Sequence, residues 1–307
     1  MWSVLIAVII LYVLMFPAPA FVSYISVFRK RKSEPLNENT IKGTYYEPFK
    51  DVVLDGIQWI KDTPHEDVAI DAFDGEKLYG RYYNFGCKKT AILLHGYKSN
   101  AENTFCGIAK YLAIKGFDLI IVDERAHGKS SGRRSTLGIK EQQDVLAWVD
   151  YSESLNKNEI LLWGVSMGAT SVAYASDRIT DPVKALIIDA AFSSPYEQIY
   201  DSCVAKHVPT VKPLLWHLCK IVQWDMGVDI RASVRESLAC CKIPALFIHG
   251  ELDDTVPEGR SLANCAACAS PSQYISVPGA EHAACYLSMG EEQLVELDEF
   301  INNYFEV

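Results

Sequence analysis

Between residues 91 and 279, compact apolar runs recur with helix-length segments between them: AILLHG (91–96), FDLIIVD (117–123), EILLWG (159–164), VKALIIDA (183–190), IPALFIHG (243–250) and YISVPG (274–279). Continuous Ile, Leu and Val without alternation is the pattern of strands buried on both faces. Strands separated by helices predict an α/β fold with a mostly parallel, doubly wound sheet, whose ligands bind beyond the carboxyl ends of the strands. Several runs end in Gly, Asp or His-Gly, so polar chemistry collects along that edge. Ahead of them, VAIDAFDGEKLYGRYYN (68–84) holds two β-type stretches around Asp74-Gly75, a pairing that favours a tight antiparallel hairpin. The expected sheet therefore has about eight strands. One interval breaks the rhythm: about fifty residues, including Tyr196, Tyr200, Trp216, Trp224 and Met226, separate LIIDA from IPALF, which predicts a helical cap at about 192–236.

The chain has 307 residues, 49% of them hydrophobic and 22% charged, enough for one core at 66–307. Residues 2–28 carry no charge, and at about 1.5 Å per residue they outreach a bilayer core of about 30 Å, so 1–28 reads as a transmembrane anchor. Pro17 and Pro19 kink that helix or mark its end. Arg29, Lys30, Arg31 and Lys32 follow it, and the positive-inside tendency predicts a single-pass protein of the cell membrane with its main domain in the cytoplasm. Ala18-Pro19-Ala20 resembles a small-residue cleavage site, which leaves secretion after signal removal as the alternative, although no positive charge precedes the apolar run. Residues 29–65, with Pro35, Pro48 and Pro64, read as a polar linker and lead-in.

The formal charge is −10 and RKRK (29–32) is the one basic cluster, so nucleic acid is not an expected partner. Nine cysteines, odd in number and irregular in spacing, point to reduced thiols. Cys265 and Cys268 form a CxxC and Cys240-Cys241 a pair. No second CxxC or HxxxH completes a zinc site, so they read as small apolar residues of helix faces, and neither a metal nor an organic cofactor is expected.

Chemistry centres on LLWGVSMGAT (161–170). Gly164-Val165-Ser166-Met167-Gly168 matches G-x-S-x-G between a strand run and a helix-compatible run. The pentapeptide alone also fits an ordinary glycine turn. A serine hydroxyl needs a base to become a nucleophile, and the base needs a group to orient it. Asp253, in HGELDDTVP, and His282, in GAEHAACY, each follow a strand run and fall at the same sheet edge as Ser166. The order Ser, Asp, His is the one this architecture uses.

With HGYKSN, DERAHGKSSG, GVSMG, HGELDDTVP and GAEH in order across roughly 66–306, the chain resembles the α/β-hydrolases of the serine-triad type, near their esterase, lysophospholipase and serine-aminopeptidase-like branch. The resemblance implies Ser166 as nucleophile, His282 as general base and Asp253 as triad acid, with Asp254 and then Asp189 as alternative acids. It implies the backbone N–H groups of Tyr97 and Met167 as the oxyanion hole. Its implied activity is hydrolysis of carboxylic esters, acyl or lysophospholipid-like, through an acyl-enzyme. A peptidase, amidase or thioesterase on the same triad, or a non-catalytic binding protein of the same fold, are the alternatives.

Asp123, Arg125 and Ser130 fall in a loop that in the family braces the site. His95, His127 and His249 each precede a glycine at a turn and read as loop braces, whereas His65, His207 and His217 lack a partner motif. Trp216 and Trp224 are the candidate substrate-binding residues of the cap, with plain cap core as the alternative.

Overall fold

A computed structural model describes residues 2–306 apart from Arg31, Asn158 and Pro209; Arg31 of the basic run and Pro209 of the cap interval thus lie outside the described residues. The apolar start forms α1 (Trp2–Met15) and α2 (Pro17–Phe28), with the irregularity at Phe16 and Pro17 opening the second helix. Together they are long and apolar enough to cross a membrane. No residue of α1 is buried, but α2 buries Ala20, Tyr24 and Phe28.

The lead-in that follows is packed onto the domain. Its helix α3 (Lys50–Asp62) spaces Val53, Ile57 and Ile60 along one face, and all three are buried. Ile60 joins the main core, while Val53 and Ile57 join Ile41 and Tyr46 in a smaller cluster.

Strands β1 (Glu66–Asp71) and β2 (Lys77–Tyr83) pair antiparallel, from Glu66 with Tyr82 to Asp71 with Lys77. Five residues connect them rather than a two-residue turn, because the chain closes with Ala72 N–H to Glu76 O at 2.8 Å around Asp74-Gly75. β1 alternates charged or exposed positions with half-buried Val68 and Ile70, as an edge strand does.

β3 (Lys89–Leu94) is buried at every position. Helices α4 (Ala101–Phe105) and α5 (Ile108–Ile114) lead to β4 (Phe117–Asp123), and α6 (Glu141–Ser154) leads to β5 (Glu159–Val165). After α7 (Met167–Ala175) come β6 (Val183–Asp189) and the inserted helices α8 (Pro195–Ala205), α9 (Lys212–Met226) and α10 (Val234–Leu238). The chain ends with β7 (Ala245–Gly250), α11 (Glu258–Ala267), β8 (Ser272–Val277), α12 (Cys285–Ser288) and α13 (Glu291–Tyr304).

The eight strands form one sheet in the order β1-β2-β4-β3-β5-β6-β7-β8. β2 meets β4 antiparallel, and every pair from β4 to β8 is parallel. Apolar clusters cover both faces of the sheet, one around Phe105, Trp163 and Phe300, the other around Trp148, Val172 and Phe247. Two-faced burial is why the parallel strands carry unbroken apolar runs. A third cluster lies under the inserted helices and contains Met167, Phe192, Leu218, Val222 and Met226 together with Ala20, Tyr24 and Phe28 of α2.

Candidate active site

Ser166 sits where β5 turns into α7, at φ 55° and ψ −111°. A non-glycine residue with positive φ is strained and persists only where its surroundings hold it. Here Ser166 N–H donates to Asp189 O at 2.7 Å and Thr170 N–H to Ser166 O at 2.9 Å. The flanking glycines are steric requirements. A Cβ on Gly164 would lie 2.4 Å from Ala169 N, and one on Gly168 would lie 2.0 Å from Leu94 O. The strand end, turn and helix start are therefore closer together than any side chain allows.

The structure brings the three residues of the expected triad into one hydrogen-bonded row. His282 Nε2 lies 2.9 Å from Ser166 Oγ, and His282 Nδ1 lies 2.7 Å from Asp253 Oδ2. Asp253 follows β7 and His282 follows β8, so both stand at the carboxyl edge that also carries Ser166. The Asp253 side chain is fully buried. Its Oδ1 accepts from the N–H groups of Thr255 and Val256 at 2.9 and 2.8 Å. Burial opposes its ionisation, but hydrogen bonds from His249, His282 and Val256 N–H outweigh it and hold the carboxyl well below the usual carboxylate range.

The alternative acids do not touch His282. Asp254 is exposed and accepts from the Thr255 hydroxyl. Asp189 is buried at the end of β6 with no hydrogen-bond partner for Oδ1, and burial lifts its carboxyl to about 6.

Met167 is the first residue of α7, where a backbone N–H has no intrahelical acceptor and points out of the helix end. Tyr97 lies in the turn after β3, which abuts the serine: a Cβ on Gly96 would sit 3.4 Å from Ser166 Cβ. Two histidines hold this turn. His95 Nε2 accepts from Glu124 N–H at 3.1 Å, so its Nδ1 carries the hydrogen and donates to Gly96 O at 2.8 Å. His127 does likewise one step on, accepting from Lys98 N–H at 3.1 Å and donating to Arg125 O at 3.0 Å. Burial, helped by His127, lowers His95 to about 3, so it stays neutral.

His249, read from the sequence as a loop brace, also reaches the triad acid. Its Nε2 faces Val256 O at 2.9 Å and Asp253 Oδ2 at 3.3 Å, while Nδ1 meets Ser261 Oγ at 2.7 Å. Only the histidine-to-aspartate spacing of four residues hinted at this contact, and it depends on the turn between them.

Trp216 and Trp224, the candidate substrate-binding residues, both lie on α9. They are 56% and 86% exposed, on the outer side of α9. Leu215, Leu218, Val222 and Met226 occupy the inner stripe, and a 3.6-residue period sends positions 216, 220 and 224 away from it. The buried apolar residues beside Met167 are instead Phe192, Leu218 and Val256, with Tyr24 and Phe28 of α2. All nine cysteines are free thiols. Among the described residues, no group of three or more His, Cys, Asp or Glu is placed to hold a metal ion.

The sheet order, the strained serine between β5 and α7 and the helices inserted after β6 give the chain an α/β-hydrolase fold. The family model described as alpha/beta hydrolase fold matches residues 90–209. Uncharacterized protein YqkD of Bacillus subtilis is 26% identical over 223 residues, spanning 70% of this chain and 71% of that protein. Protein bem46 of Schizosaccharomyces pombe is 23% identical over 214 residues, 68% of this chain and 66% of its own. The solved esterase Pf2001 of Pyrococcus furiosus aligns with a TM-score of 0.63 at 23% identity, covering 79% of this chain and 93% of that one, a likeness of fold.

Proposed function

We propose that the chain is a serine hydrolase that cleaves carboxylic esters through an acyl-enzyme intermediate. The observation that carries this reading is the unbroken row Asp253–His282–Ser166, with contacts of 2.7 and 2.9 Å. His282 takes the Ser166 proton as Oγ attacks the acyl carbonyl, then returns it to the leaving alcohol. Asp253, ionised and buried, fixes the tautomer with hydrogen on Nδ1 and stabilises the imidazolium. The N–H groups of Tyr97 and Met167 receive the oxyanion, an interaction worth about 3–4 kcal/mol per donor in the transition state. Water then repeats the sequence on the acyl-enzyme.

Two features support an acyl chain as the substrate's apolar part. Met167 belongs to a buried apolar cluster with Phe192, Leu218 and Val256, and the fold's esterase neighbour shows that the architecture serves ester cleavage in another protein. We also read α1 and α2 as a membrane anchor with the domain on the cytoplasmic side, supported by the 27-residue apolar stretch and the cations at 29, 30 and 32. Because α2 is docked on the cap, this anchor holds the domain against the bilayer. Initial rates of the full-length protein on p-nitrophenyl esters of rising chain length test the substrate assignment. Turnover that improves with chain length fits acyl recognition by the cap, and no turnover of any ester contradicts the reading.

A further inference from the structure

A helix that only anchors a domain needs no specific contact with its chemistry, but α2 and the residues after it have many. Ala20, Tyr24 and Phe28 are buried in the cluster that contains Met167 and packs against Tyr97, the two residues whose N–H groups face the proposed oxyanion. The Tyr97 hydroxyl donates to Val27 O, the carbonyl near the end of α2. Tyr24 donates to Asp225 of α9, beneath Arg134, whose guanidinium lies 4.6 Å from the Tyr24 ring centre.

Beyond α2 the chain runs along the loop between β4 and α6 and then reaches the start of α4. Phe28 O accepts from Ser135 N–H at 3.0 Å, and Lys30 Nζ donates to Ser130 O at 2.6 Å. Leu36 N–H donates to Asn103 Oδ1 at 2.8 Å, and Asn100 Nδ2 donates to Ser33 Oγ at 3.2 Å. Asn100 also caps α4, accepting from Asn103 N–H, so the segment grips the α4 end of the loop that carries Tyr97.

We propose that the N-terminal apolar segment is a working part of the active site, with Val27 O holding the Tyr97 side chain so that the Tyr97 N–H is aimed at the oxyanion. The inference rests on the serine-hydrolase reading above. Tyr97 acts here as a positioning residue through its hydroxyl, and as an oxyanion donor through its backbone. Lys98, the next residue, has φ 58°, so the turn lies in a sparsely populated conformation that needs support from its surroundings. A cut after Ala20 would split α2, remove a residue with no exposed surface and open the cluster around Met167. The segment therefore stays attached in the working enzyme.

The test uses full-length protein in detergent and a soluble short-chain ester, so that access to a membrane plays no part. Tyr97→Phe removes the bond to Val27 and leaves the backbone N–H. We expect kcat to fall about tenfold with KM within about twofold, because only transition-state stabilisation is lost. Affinity for an alkyl boronic acid, whose tetrahedral serine adduct places an anionic oxygen in the same site, falls by the same factor. Ala20→Leu, which overfills the buried contact of α2, gives the same signature and serves if Tyr97→Phe melts early. Unchanged kcat and boronate affinity in both variants, with turnover abolished by Ser166→Ala, overturn this inference alone. Turnover that survives Ser166→Ala overturns the reading beneath it.

Discussion

His282 Nδ1 lies 2.7 Å from Asp253 Oδ2, and the aspartate has no exposed side-chain surface. Asp254, next in sequence, is exposed and turned to the Thr255 hydroxyl. Asp253→Asn replaces the acceptor facing Nδ1–H with an amide, so kcat should fall by about 10³–10⁴, whereas Asp254→Asn should stay within about threefold. Initial rates on a p-nitrophenyl ester check this, and the larger loss in Asp254→Asn would move the acid by one residue.

Gly168 meets the Leu94 carbonyl so closely that a Cβ would lie 2.0 Å from the oxygen. Backbone on both sides cannot yield as a flexible side chain would. Gly168→Ala should destabilise the fold by about 3 kcal/mol or more, read by urea unfolding. A variant as stable as the wild type would show that β3 and α7 are farther apart.

The fold was legible because two-faced burial leaves runs such as AILL and FDLIIVD with no polar alternation, and the site because strand ends at Ser166, Asp253 and His282 share one edge. The docking of α2 on α9 was not. A segment apolar on every side, as 2–28 is, gives no periodic hint of which face meets protein, so the partner of Tyr24 and Phe28 could not be named. Nor could the sequence say which way Trp216 and Trp224 face, since the inner stripe of α9 is defined by what it packs against. The support of Asp253 by His249 depends on a turn between them that carries no residue pattern.

Burial lifts Asp189 from 3.8 to about 6, a rise equivalent to ~3 kcal/mol. Folded Asp189 holds its proton more tightly than the unfolded chain does, so stability falls as pH rises from 3.8 to about 6, and the full cost is present above that window. Asp189→Asn removes the ionisation and should stabilise the protein more at pH 8 than at pH 5, by roughly 1–2 kcal/mol. Urea unfolding at both pH values measures the difference, and equal gains would contradict the burial argument.

Every residue of α1 is unburied by the rest of the protein, from Trp2 to Met15. As a membrane anchor, it should keep the full-length protein in the pellet when membranes are extracted with alkaline carbonate. Ile6→Lys combined with Ile10→Lys places two charges at depth, each costing about 2.5–3.5 kcal/mol in insertion, and should move the protein to the supernatant. Release of the unaltered protein would argue against anchoring.

The 2.9 Å contact between His282 and Ser166 is what would make this serine a nucleophile. Covalent labelling by a fluorophosphonate probe tests it most directly, with folded wild type beside Ser166→Ala and His282→Ala. Rapid labelling of the wild type is expected, with none of Ser166→Ala and a loss of at least about a thousandfold in rate for His282→Ala. Equal labelling of all three proteins, or none of the folded wild type, would contradict it.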